Sequence, residues 1–139
     1  AAFLKAIRRP REEGGLLSSE MLTEMATAEA RIATLPIWGL GTTIYVSQTR
    51  LAEVIGHDGR NYPAINTAAR LHLETGDGIV VLATGTTALA SRISDEWVYW
   101  RTAEISITQI LRTAPYAAMI WVAGLLAVMS TILVRARRP

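Results

Sequence analysis

Two histidines, His57 and His72, are the first residues to weigh for chemistry, because an imidazole titrates near neutrality and ligates transition metals. His57 stands beside Asp58 in Gly56-His57-Asp58-Gly59-Arg60-Asn61, a polar run with turn chemistry. Two adjacent side chains do not make a metal site, which needs several convergent ligands. His72 falls on the apolar side of the helix that its neighbours predict. Both histidines therefore read as hydrogen-bonded structural residues, and no metal ligand is assigned. Glu104 stands out among the carboxylates because its helix side is otherwise apolar; it is expected to be solvated or to pair with Arg101 or Arg112. No serine sits in a G-x-S-x-G elbow, and Gly85-Thr86-Thr87 lacks the lysine and spacing of a phosphate-binding loop. Gly39-Leu40-Gly41 lacks the third glycine and downstream acid of a dinucleotide site. The chain has no cysteine, which excludes disulfides, thiolate metal sites and cysteine nucleophiles together. Nothing assembles a nucleophile, a base and an oxyanion site, so no catalytic residue is assigned and no cofactor is expected. Proton transfer through His57, Asp58 or Glu104 is the one catalytic reading that the side chains leave open.

The elements that would position these residues are predicted to be mainly helical. Ser18 or Ser19 can cap a helix over 19–34, with Glu20 and Glu24 near its positive end. Met21, Leu22, Met25, Ala28 and Ile32 recur along one face, and Pro36 and Gly39 end the pattern. A short helix over 49–55 follows, then the polar turn at 56–61. A further helix starts near Asn61, tolerates Pro63 in its first turn and stops at Gly76 as a left-handed cap. Another covers 78–93, and Ser94-Asp95-Glu96 marks the start of one over 96–112. The alternative is an α+β class with a hairpin near 70–86, where Leu71 and Leu73 alternate with polar residues around Thr75-Gly76-Asp77-Gly78.

The longest pattern is the uncharged run at 114–134. Roughly 20 apolar residues in a helix cross a hydrocarbon core about 30 Å thick, and a helix satisfies its own backbone groups there. Arg112 bounds the run on one side, and Arg135, Arg137 and Arg138 bound it on the other as membrane-edge charges. Pro115 is expected in its first turn. Ala123, Gly124, Ala127, Ser130 and Thr131 form a small-residue face of the kind on which membrane helices pack. A second uncharged run at 32–49 carries Pro36, Gly39 and Gly41 and is expected as buried core or interface, with a weak second span as the other choice.

These readings divide the chain into a polar basic arm at 1–17, a small helical domain at 18–112, a transmembrane helix at 114–134 and a basic tail at 135–139. In the arm, Phe3, Leu4 and Ile7 share one side of a short amphipathic stretch, and Arg8, Arg9 and Arg11 arrive too early for a signal-peptide apolar region. The spacing of Gly15 and Glu20 has the form of a type IV prepilin cleavage site, but Glu24, Glu29 and Arg31 interrupt the apolar helix such a site requires. A formal net charge of +2, gathered largely at the ends, favours a membrane surface over nucleic acid. Two topologies fit: a tail anchor, or a pair of spans with both basic ends on the cytoplasmic side. A domain of roughly 80 residues has a marginal core, so partner surfaces are expected to complete it. The sequence thus predicts a non-catalytic accessory subunit of a larger membrane complex, single-pass, in a bacterial or organellar inner membrane. Its partners would be other membrane subunits and the lipid bilayer, without nucleic acid. The alternative is a membrane-bound sensor or adaptor that binds a transient partner or a small ligand.

Overall fold

The computed structural model describes residues 7, 15–47, 51–62 and 65–136, the side chain at 134 aside. The chain divides into two compact units, Ala1–Thr108 and Gln109–Pro139. In chain order the elements are α1 (Ser19–Ala26), β1 (Ala30–Ile32), β2 (Leu35–Trp38), β3 (Thr43–Ser47), β4 (Ala52–Asn61), β5 (Ile65–His72), β6 (Gly78–Thr84), α2 (Leu89–Thr102) and α3 (Ile107–Ala136). The first unit is organised by a six-stranded antiparallel sheet in the order β1-β2-β3-β4-β5-β6. The class is α+β, which overturns the mainly helical expectation for 18–112.

The correction is largest between residues 49 and 93. The ladder from Val54↔His72 to Asn61↔Ile65 joins β4 to β5, and the one from Ile65↔Thr84 to Leu71↔Gly78 joins β5 to β6. The hairpin that served as the alternative reading is therefore the arrangement present, and Ala52–Asn61, Ile65–His72 and Gly78–Thr84 are strands where helices over 49–55, 61–76 and 78–93 were expected. Alternation explains β5 despite its alanines: Asn66, Ala68, Arg70 and His72 share one face, and Thr67, Ala69 and Leu71 the other. The polar run at 56–61 is strand as well. A Cβ on Gly56 would lie 1.9 Å from the Ala69 carbonyl oxygen, so this glycine serves a close approach of β4 to β5 and not a turn. Gly76 does adopt the left-handed conformation, φ +70°, but there it closes the β5–β6 turn, its N–H donating to the His72 carbonyl at 2.9 Å. Pro63 lies outside the described residues.

Helix α1 begins as read, with the Ser18 hydroxyl accepting from the Met21 N–H at 3.2 Å. It ends at Ala26, because the chain then turns into the sheet: Thr27 bridges to Leu51, and Ala30–Ile32 pairs with β2. The uncharged run at 32–49 forms β2 and β3 as far as the described residues reach, and Ile44, Tyr45 and Val46 are buried.

Helix α2 packs against β5 and β6, and the core beneath it joins Tyr45, Val46, Val54 and Val98, with Trp97 against them. Its inward residues are small or polar: Ala90, Ser91, Ser94, Asp95 and Val98. Ser94-Asp95-Glu96 therefore lies in mid-helix and starts nothing. The break comes at Ala103, in the left-handed region at φ 58°. At the far margin of the sheet β6, uncharged throughout, has no strand on its outer side among the described residues.

The second unit is formed by α3, of 30 residues, whose first turn, with Ile107 and Thr108, belongs to the first unit. Pro115 lies in the interior of this helix, not in its first turn, and so removes one main-chain hydrogen bond. The stretch Ile107–Leu133 is long and apolar enough to cross a membrane by length and composition, and none of its most apolar window is buried.

Candidate functional site

A polar cluster is buried in the first unit, between the sheet and α2. Arg70 on β5 is fully buried. Its NH1 meets Asp58 Oδ1 at 2.6 Å and also donates to the Ala69 carbonyl at 2.9 Å. Its NH2 lies 3.6 Å from Asp95 Oδ1 of α2, an ion pair too long to be a hydrogen bond. The guanidinium carbon stands 3.5 Å over the Tyr45 ring, a cation–π contact. Asp58 gathers the remaining donors: the Tyr45 hydroxyl at 3.2 Å on Oδ1 and the Ser91 hydroxyl at 2.8 Å on Oδ2. The Ser106 hydroxyl, after the α2 break, donates to Asp95 Oδ1 at 2.9 Å. Strands β3, β4 and β5, helix α2 and the segment after it thus converge on one arginine.

The electrostatics follow from that geometry. Burial pulls the Asp58 carboxyl upward, but the hydrogen bond and charge of Arg70, with the Ser91 and Tyr45 hydroxyls, outweigh it and hold the group below its ordinary value. Burial, offset only in part by Arg70, pushes the Tyr45 phenol well above its ordinary value. Among the described residues, Arg70 Nε makes no hydrogen bond, and neither does the Ser94 hydroxyl.

Both ends of α2 are tied to the sheet. At its start the Asn66 side chain accepts from the Ala90 N–H at 2.6 Å and donates to the Thr86 carbonyl, satisfying an open helix N–H from across the fold. At its end Arg101 pairs with Asp77 of the β5–β6 turn at 2.5 Å. Arg101 is therefore not Glu104's partner, and Glu104 is exposed. His72 is a buried hydrogen-bonded residue: the Thr75 N–H donates to Nδ1 at 3.2 Å, which leaves Nε2–H for Glu53 Oε1 at 3.2 Å. His57 and Asp58 point to opposite faces of β4, with the His57 ring 5.7 Å from that of Trp38. On that opposite face, Ile7, Met25, Ile55, Leu71 and Val80 line an apolar cavity of about 260 Å³.

Among the described residues, no group of three or more His, Asp or Glu could hold a metal ion. Sequence reasoning missed Arg70, Tyr45 and Asp95, whose partners come from distant strands and a helix. Comparison with protein-family models, with curated proteins and with solved structures gives no match for this chain.

In the second unit, Ala123, Gly124, Ala127, Ser130 and Thr131 are all exposed on α3. At about 100° per residue they fall within a sector of roughly 120°. The Ser130 and Thr131 hydroxyls both donate to the Ala127 carbonyl at 2.8 Å, so neither requires a partner outside the helix. Arg112 sits in the early turns of α3 and Arg135 in the last; Arg137 and Arg138 lie outside the described residues, as do Phe3 and Leu4.

Proposed function

We propose that the chain is a non-catalytic, membrane-anchored accessory subunit of a larger membrane complex, with α3 as the anchor and the α+β unit as the docking part. The observation that carries the reading is α3 itself: a continuous helix, long and apolar enough over Ile107–Leu133 to cross a membrane, whose most apolar window is not buried within its own chain. A helix apolar on all sides needs lipid or protein around it. The small-residue face supports close helix packing, and the internally bonded hydroxyls of Ser130 and Thr131 allow that face to sit in hydrocarbon. The polar cluster around Arg70 supports the non-catalytic part, since its charges are directed at one another across the core and brace α2 on the sheet.

Photo-crosslinking groups placed singly along α3 test the proposal in native membranes. Crosslinks to a protein partner are expected from Ala123 and Ala127, and to lipid from Leu125, Met129 and Ile132 on the opposite side. Protein crosslinks absent from both sides would sink the complex-subunit reading, and extraction of the chain by alkaline carbonate would sink the anchor. The sensor reading draws on the apolar cavity beneath Ile7. A rise in thermal stability on adding a small apolar ligand would favour it.

A further inference from the structure

The outer side of β6 is complementary to itself. We propose that a second copy of this chain docks there, joining β6 to β6 antiparallel about a twofold axis at Val81. The two sheets then run on as one, and the two α2 helices pack side by side. The inference lies wholly within the first unit and does not depend on α3 crossing a membrane.

The ladder fixes which main-chain groups are open. The His72 N–H donates to the Asp77 carbonyl at 2.8 Å, and hydrogen-bonded pairs recur at every second position of an antiparallel ladder. The groups of Ile79, Val81 and Ala83 are therefore directed at β5, and those of Gly78, Val80, Leu82 and Thr84 point outward. Among the described residues no strand receives them. With Val81 opposite Val81 of the second copy, Val80 falls opposite Leu82 and Gly78 opposite Thr84. Every outward N–H and C=O then finds a partner, which no other symmetric register achieves. The side chains agree with this register. Strand β6 carries no charge, so no like charges meet, and the bulky Ile79 falls opposite the small Ala83. Leu82, 77% exposed in the single chain, packs on Val80 of the second copy.

Helix α2 selects a second copy over any other strand. It lies over β5 and β6, so its axis stands about one strand spacing, roughly 4.8 Å, from the joint between the copies. The twofold axis thus sets the two α2 axes about 10 Å apart, a distance at which helices pack side by side. Ser91 turns toward β4, where it bonds Asp58. At about 100° per residue, Leu89, Ile93 and Trp100 lie roughly 160–180° round the helix from Ser91, on the side that leans over β6. All three are exposed, at 39%, 42% and 78%. The second helix covers this apolar stripe, whereas a lone extended segment would satisfy the main chain and leave the stripe bare.

The chain has no cysteine, so single introduced thiols report the register. Across the axis the two Val81 Cα atoms form a non-hydrogen-bonded pair about 4.5 Å apart, within disulfide reach. Two Leu82 Cα atoms are offset by two residues and stand more than about 7 Å apart, beyond it. Full-length V81C, L82C and Y62C are oxidised in mild detergent, and linked dimer is read on a non-reducing gel. Linkage at V81C should exceed that at L82C and Y62C several-fold, although Leu82 and Tyr62 are the more exposed. Adding L82K or I93K to V81C should bring it down to the Y62C level. Equal linkage at all three sites, none at V81C, or linkage unmoved by L82K and I93K overturns the proposal. The cysteine-free chain gives a second reading: in density-matched detergent its sedimented mass should be that of two chains, and that of L82K one. A parent of one chain, or an L82K still of two, overturns the proposal as well, and neither result touches the anchor.

Discussion

Replacing Arg70 by methionine removes the cation on which the interior of the first unit converges while keeping much of the side-chain volume. Asp58 and Asp95 then face one another's surroundings without the guanidinium now 2.6 Å and 3.6 Å away, and Tyr45 loses the cation over its ring. Deleting one partner of a buried ion pair costs about 3–5 kcal/mol, because the remaining charge is left uncompensated. A domain of this kind has a total stability of about 5–15 kcal/mol, so R70M should be close to unfolded at the lower end of that range. The triple variant R70M/D58N/D95N removes all three charges together. It should recover most of the loss, since replacing a whole buried ionic group is often neutral. Urea unfolding of the full chain in mild detergent, followed by the emission of its four tryptophans, of which Trp97 packs against the core, reads both variants. The reasoning is refuted if R70M unfolds within about 1 kcal/mol of the parent, or if the triple variant is no more stable than R70M.

Other outcomes follow from the same contacts. The Asp58 carboxyl is held below its ordinary value, so the unfolded state binds the proton more readily; the stability it contributes is present above about pH 4 and is lost as pH falls through the folded value. Urea midpoints across pH 2–6 should therefore drop steeply in the parent and less so in D58N. Tyr45 is the opposite case: its raised value keeps stability intact below about pH 10 and removes it at more alkaline pH, a loss that Y45F should abolish in the same titration. G56A places a methyl 1.9 Å from the Ala69 oxygen and should lower the stability of the first unit by about 2 kcal/mol or more in thermal unfolding. On α3, G124L should leave vesicle flotation unchanged while abolishing protein crosslinks from Ala123 and Ala127; unchanged crosslinking would exclude this face as a contact.

What the sequence made legible and what it hid divide along physical lines. Local signals were readable: the Ser18 cap, the left-handed Gly76, a hydrogen-bonded His72 and the long apolar helix each depend on a few neighbouring residues. The sheet was hidden because β5 has the alanine content of a helix. Its alternation was also disguised, since Asn66, Arg70 and His72 give one face the look of a solvated surface, which α2 then covers. Helix α2 deceives in the complementary way. It buries Ser91, Ser94 and Asp95 and exposes Leu89, Ile93 and Trp100, so its apolar stripe points away from the core. Gly56 and Gly59 resemble turn glycines until a facing strand is known. The Arg70 cluster draws on residues 45, 58, 70 and 95, a set with no periodic signature in one dimension.

Strand β6 has a consequence for how the molecule must be handled by the cell and at the bench. Gly78–Thr84 offers a row of main-chain donors and acceptors along one border, with no lysine, proline or bulge to discourage a newcomer. Whenever this border is uncovered, as in overexpression, another extended chain can lengthen the sheet by templated growth. A gatekeeper charge at Leu82, whose side chain already faces solvent, would blunt that growth without touching the interior.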